Sequence, residues 1–179
     1  NINTEENYWG VEMFNLSEFH QPLLSFLSQL AKSGEKTARD YYGCGGWCAC
    51  HNSDLWAMTN PVGEGKGRPY WANWNMGGAW LATHLWEHYL YTLDRSYLER
   101  VYPVMRGAAL FLRSILIEDP RSGYLVTAPT TSPENGFYLT PDDAERGVVT
   151  HICMGSTMDN QISREIFLAV ASAAEILQC

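Results

Sequence analysis

The chain has 179 residues, 46% hydrophobic and 18% charged, with 12 Lys and Arg against 20 Asp and Glu and a formal net charge of -8. That apolar content supplies a packed core and argues against a disordered chain. The acidic balance disfavours nucleic acid, whose binding rests on cationic contacts to phosphate, and it provides no basic patch for a membrane surface.

No stretch approaches the roughly 20 apolar residues of a membrane-spanning helix. No basic segment followed by an apolar one marks a signal peptide. The chain opens at Asn1 without Met and stops within an apolar helical pattern running from Ala174 to Cys179. With no Gly or Pro after that pattern, it reads as a piece of a longer protein.

Residues 1–9 mix polar and aromatic side chains without a period, as a lining would. A helix is expected from Ser17 as its N-cap, with Pro22 tolerated in the first turn. Leu23, Leu24, Phe26, Leu27 and Leu30 form its apolar stripe. Gly34 is expected to end it, and a short second helix over 35–42 stops at Gly43. Residues 43–70 are loop-rich, and Trp47, His51, Asp54 and Trp56 suggest function in the first half. The part from Gly63 to Gly67 is expected to be a loop tip. It is no phosphate loop, because no Gly-Lys-Ser/Thr follows.

Residues 76–91 read as a buried helix, and Asp94 caps another running to about 118, with a kink or junction at Pro103. A turn at Asp119-Pro120-Arg121-Ser122-Gly123 leads into an extended piece over 124–127. The segment Pro129-Thr130-Thr131-Ser132-Pro133-Glu134-Asn135 is stiffened by two prolines and can be neither helix interior nor central strand. Residues 140–150 are polar and expected to be exposed. Ser156 caps a final long helix with Asp159 at the capping-box position. The fold class is therefore mainly α: long helices paired in sequence, joined by aromatic-rich loops, without βαβ alternation.

Five cysteines stand at 44, 48, 50, 153 and 179. Cys44, Cys48, Cys50 and His51 are ligand types zinc accepts, but their spacing is not a usual structural one, and free, partly buried thiols are the reading.

Two constellations compete for the chemistry. His84-Leu85-Trp86-Glu87-His88 matches the His-x-x-Glu-His signature of a zinc peptidase, with Glu165 as a third ligand; the same residues also serve as the polar edge of a core helix. The other joins Asn1, Asn3, His51, Asn52, Trp74 and Glu134. Hydrolysis of a sugar by inversion needs one protonated carboxyl at the leaving oxygen and a water held on the opposite face. Amide side chains can orient such a water because each offers a donor and an acceptor. Trp faces pack on sugar rings, while His and Asn address hydroxyls. Trp80 and Trp86, at helical spacing, are assigned to packing, and Trp47, Trp71 and Trp74 are platform candidates.

The blocks Asn1 to Trp9, His51 to Trp56, Trp74 to Trp80, His84 to Tyr89, Ser132 to Asn135 and Thr157 to Gln161, in that order, resemble glycoside hydrolase family 95, the inverting α-L-fucosidases with some α-L-galactosidases. The resemblance runs essentially end to end. It implies an (α/α)6 toroid barrel, about half of it present over residues 1–179, and no cofactor and no metal. It places the general acid on Glu134, kept protonated by partial burial. It places the amides that hold the water on Asn1 and Asn3, and substrate binding on His51, Asn52 and Trp74. The Asp that polarises those amides has no match here, so a second reading of the fragment taken alone is carbohydrate binding without catalysis. The implied partner is a fucosylated oligosaccharide or glycan, and a secreted, periplasmic or cell-surface setting is favoured. The thiols at 44, 48 and 50 depart from the family pattern.

Overall fold

The structure, a computed structural model, describes residues 2–63 and 69–179. Asn1 and the greater part of the expected loop tip, 64–68, lie outside them. The chain is mainly α, as its helical periodicity predicts. In order the helices are α1 (Ile2–Tyr8), α2 (Gln21–Tyr42), α3 (Pro69–Ala72), α4 (Gly77–Thr92), α5 (Arg95–Ile115), α6 (Pro141–Arg146) and α7 (Thr157–Leu177). The strands are β1 (Leu116–Glu118), β2 (Leu125–Thr127), β3 (Thr130–Thr131) and β4 (Ile152–Cys153). Helices α4, α5 and α7 pack on one another, and α2 lies against α4 and α5. Leu27, Leu30, Leu85, Leu98, Met105, Leu112 and Ile166 fill the space between them. Among the described residues no helix is long and apolar enough to cross a membrane.

Three boundaries differ from expectation. Ser17 opens a 3-10 turn, Ser17–Phe19, and its hydroxyl bonds Glu12 instead of capping a helix. Helix α2 runs unbroken through Gly34 and ends on left-handed Gly43 (φ 66°). Helix α5 stops at Ile115, with Pro103 inside it. Residues 116–118 leave the helix to pair antiparallel with β2, Leu116 opposite Thr127 and Glu118 opposite Leu125.

Gly34 is a glycine for reasons of space. A Cβ there would lie 2.5 Å from the Cys48 carbonyl oxygen and 2.9 Å from the Trp47 ring. Gly78 of α4 and Gly107 of α5 approach the same indole, each with a built Cβ 2.7 Å from a ring atom. Trp47 is therefore wedged where α2, α4 and α5 meet, 2% exposed, its Nε1–H donating to the Val104 carbonyl at 2.7 Å. That corrects its reading as a sugar platform. The wedge fixes the start of the loop that carries Cys48, Cys50, His51 and Asn52. The cysteines are free thiols, Cys48 and Cys50 buried and Cys44 half-buried. Burial pushes the Cys50 thiol up to about 11, partly offset by its hydrogen bond with Tyr42.

Candidate active site

The short helix α1 and the loop after Trp47 meet at a cleft of about 470 Å³. Thr4 and Tyr8 of α1 line it together with His51, Asn52 and Asp54, and so do apolar Leu23, Phe26, Leu30 and Leu81. His51 Nδ1 is 2.8 Å from Asn52 Oδ1, which orients both groups. The rings of Trp71 and His51 meet in a T-shaped contact with centroids 5.4 Å apart. A concave site with an apolar wall and a few converging polar groups is the usual form of a small-ligand pocket.

The expected residues fall unequally around this cleft. His51 is buried and Asn52 half-buried, and both line it. Asn3 lies on α1, exposed, one position before the cleft-lining Thr4. Asn1 lies outside the described residues. Trp74 is 2% exposed, so it has no face left for a sugar, and its Nε1–H donates to Asp159 Oδ1 at 2.9 Å. This corrects its assignment to substrate binding. Trp71 is half-buried, and Trp56 presents a free indole at 84% exposure. The Trp56 amide donates to Asp54 Oδ1, part of a turn that lifts the ring out of the surface.

Glu134 is exposed, contrary to the partial burial expected of it. The cause is a tight turn, Asn135 N–H to Ser132 O at 2.7 Å, which leaves the carboxyl on the outside. The peptide bonds Ala128–Pro129 and Pro133–Glu134 are cis. His151 Nδ1 lies 2.7 Å from the Asn135 carbonyl, and Phe137 exchanges backbone hydrogen bonds with Thr150. Strand β3 pairs antiparallel with β4, Thr130 opposite Cys153. The Tyr70 ring stacks on His151 at 4.2 Å. Helix α3 thus touches both regions, Trp71 against His51 and Tyr70 against the loop that carries Glu134.

A buried polar network, which the periodicity of the sequence did not reveal, ties α1 to α4. His84 Nε2 meets Glu5 Oε2 at 2.7 Å, and His84 Nδ1 meets His20 Nε2 at 3.0 Å. His20 Nδ1 and His88 Nδ1 meet Glu12 Oε1 at 2.7 and 2.6 Å, and the Ser17 hydroxyl bonds the other Glu12 oxygen. Gln21 reaches the far side of His88 at 3.4 Å. The run Glu5–His84–His20–Glu12 is joined by three such contacts, the middle one between the two imidazole rings. Burial opposes ionisation of Glu12, but hydrogen bonds from Ser17, His88 and His20 outweigh it and hold the carboxyl below its usual range. Burial holds His20 below the usual histidine value, against the pull of Glu12.

The same geometry disposes of the zinc-peptidase reading of His84 to His88. Both ring nitrogens of His84 are engaged by Glu5 and His20. Among the described residues the metal-competent group is Glu12, His20 and His88, without His84 or Glu165. Its contacts of 2.6 and 2.7 Å are hydrogen-bond lengths. Donor atoms each about 2.0–2.1 Å from one tetrahedral zinc would stand farther apart. Glu87 and Glu165 lie together in a separate groove of about 410 Å³ between α4 and α7, lined also by Trp80 and Trp86.

The catalytic-domain profile of glycosyl hydrolase family 95 matches residues 1–179. Among curated proteins the chain is 44% identical over 178 residues to alpha-L-fucosidase 2 of Arabidopsis thaliana, an alignment covering 99% of this chain and 20% of that protein. It is 34% identical over 146 residues to a probable alpha-fucosidase A of Aspergillus niger (strain ATCC MYA-4892 / CBS 513.88 / FGSC A1513), covering 79% of this chain and 18% of that protein. The chain thus spans about a fifth of the length of these relatives.

Proposed function

This chain belongs to glycosyl hydrolase family 95, and on that premise we propose that it forms part of an (α/α)6-barrel catalytic domain that removes terminal α-1,2-linked α-L-fucosyl residues from oligosaccharides or glycans with inversion at the anomeric carbon. The observation that carries the proposal is the cleft lined by Thr4 and Tyr8 of α1, by His51 and Asn52, and by Leu23, Phe26, Leu30 and Leu81. A 6-deoxy sugar offers the matching mixture, hydroxyls for the polar groups and a methyl group for the apolar ones. His51 and Asn52 would address the hydroxyls.

In this reading Glu134 gives its proton to the glycosidic oxygen as the bond to the anomeric carbon breaks. A water held by the Asn1 and Asn3 amides attacks that carbon from the opposite face, and its proton passes by way of those amides to the polarising Asp that the family resemblance implies and that these residues lack. Exposure of Glu134 in the chain supports proton exchange with solvent between turnovers. For the 179 residues taken alone, a second reading is sugar binding without turnover, favoured by their covering about a fifth of the relatives' length.

The test is made on the full-length protein. Proton NMR of the first-formed product from 2'-fucosyllactose should show β-L-fucose before mutarotation; α-L-fucose first would refute inversion. Glu134→Gln should lower turnover of that substrate by about 10²–10⁴, the usual contribution of a general acid. The loss should be much smaller on an aryl fucoside whose leaving group needs no proton. Equal loss on both substrates would remove Glu134 from the acid role.

A further inference from the structure

Asp159 is fully buried, and its carboxylate is not used where its position in the sequence would put it. The Ser156 hydroxyl caps α7 by accepting from the Asp159 backbone N–H at 3.2 Å. In a capping box the Asp159 side chain would return to the Ser156 backbone. Instead Oδ1 accepts from Trp74 Nε1 at 2.9 Å, and Oδ2 accepts from the hydroxyls of Thr127 at 2.7 Å and Thr130 at 2.6 Å. One carboxylate therefore joins α7, the end of β2, the start of β3 and the segment before α4. Burying it carries a desolvation cost that only a full set of donors offsets. Two of those three donors, Thr127 and Thr130, come from either side of Pro129, in the strands that lead into the Glu134 turn.

We infer that Asp159 is a positioning residue for Glu134: it fixes the direction in which the 127–134 segment leaves the helical framework, and so the place of the proton donor. The inference rests on the reading of Glu134 given above. It assigns Asp159 no contact with substrate. Its effect passes through Thr127 and Thr130.

The experiment uses the full-length protein and two substrates, 2'-fucosyllactose and an aryl fucoside with a good leaving group. Thr127→Val and Thr130→Val remove the donors one at a time with little change of volume, and Asp159→Ala removes the acceptor. Asp159→Asn should lose less than Asp159→Ala. The Trp74 N–H still finds the amide oxygen, and the two hydroxyls can turn to accept from the amide nitrogen. If Asp159 positions the acid, Thr130→Val lowers kcat on 2'-fucosyllactose by on the order of tenfold, a fraction of what the acid contributes. It then lowers kcat on the aryl fucoside less, the same asymmetry as Glu134→Gln. Equal losses on both substrates, or no loss, overturn the inference while leaving the acid role intact if Glu134→Gln keeps its asymmetry. If Glu134→Gln itself shows no asymmetry, the proton-donor reading fails and takes the inference with it. Should Asp159→Ala not fold by circular dichroism, the two Thr variants decide the matter with the same substrates.

Discussion

The Trp47 wedge yields a prediction whose sign changes with background. Gly107→Ala places a Cβ 2.7 Å from Trp47 Cδ1 and 3.2 Å from Nε1. The indole cannot swing aside, since it is 2% exposed and bonded to the Val104 carbonyl. Overpacking of this kind costs about 1–3 kcal/mol. Replacing Gly by Ala inside α5 recovers roughly 1 kcal/mol of helix propensity. The net effect is destabilisation of about 0–2 kcal/mol. In a Trp47→Ala background, which itself costs about 3–5 kcal/mol, the clash is gone and Gly107→Ala should stabilise by roughly 1 kcal/mol. The coupling energy is then about 1–3 kcal/mol, measured by urea denaturation of the four proteins of the cycle. Gly34→Ala is the control. Its Cβ meets the Cys48 backbone oxygen at 2.5 Å, so it should destabilise in both backgrounds. If Gly107→Ala has the same effect with and without Trp47, the indole is not seated between α2, α4 and α5, and the placement of the His51 loop derived from it falls.

Glu12→Ala leaves Ser17, His20 and His88 without their acceptor and should cost about 3–5 kcal/mol. Glu12→Gln should cost less, because the Ser17 hydroxyl can turn toward the amide nitrogen; equal costs in denaturant midpoint would refute the hydrogen-bond geometry. Stability should fall on acidification in two steps. His20 and Glu12 are both held below their ordinary values, so the unfolded chain binds more protons than the folded one in each window. The first loss begins below the ordinary histidine value of 6.5 and the second below the ordinary carboxyl value of 4.5, each continuing down to the folded-state value. Glu5, Glu87, His84, His88 and Tyr97 face the same cluster. His20→Gln should remove the first step and keep the second, read from urea midpoints between about pH 8 and pH 3. Iodoacetamide at neutral pH should leave buried Cys48 and Cys50 intact until denaturant is added; mass spectrometry of the peptides checks it.

Helices α5 and α7 were legible because a 3.6-residue apolar stripe and a cap residue state the same thing twice, as with Asp94, whose side chain accepts from the Tyr97 amide, whereas α2 and α4 have no side-chain cap and were legible from their apolar residues alone. Gly34 misled because glycine signals both helix ends and close approach, and which one applies depends on a loop that returns in space. Residues 116–118 were read as helix for a related reason: their strand partner, 125–127, lies beyond a turn. The candidate site was partly legible. His51 and Asn52 were found through the blocks resembling a known family, and both line the cleft with α1. Trp47 and Trp74 were misread as platforms, because a loop position says nothing about how far an indole sinks into a helix junction. Glu5, Glu12 and His20 carried no periodic signal at all, since their partners lie on a helix more than sixty residues away.

The two segments proposed to carry the chemistry, α1 and the Glu134 turn, are a short helix and a loop, and neither has an apolar stripe to hold it. Each is tied to the framework by a buried carboxylate system. On one side His84 and His88, one helical turn apart and so on one face of α4, receive Glu5 from α1 and Glu12 from the segment that follows it. On the other side Asp159 of α7 takes donors from both flanks of Pro129. Hydrogen bonds are directional where apolar contacts are not, so such ties fix orientation as well as position. The prominence of His84-Leu-Trp-Glu-His in the sequence is then explained without a metal: α4 needs its two histidines to hold the helix that bears Asn3. A His84→Phe variant, which keeps a ring of similar breadth but no nitrogen, should therefore loosen α1 selectively. Amide hydrogen exchange should rise over residues 2–8 while α5 and α7 stay protected. Uniform loss of protection across all the helices would mean that the network stabilises the core as a whole and does not anchor α1 in particular.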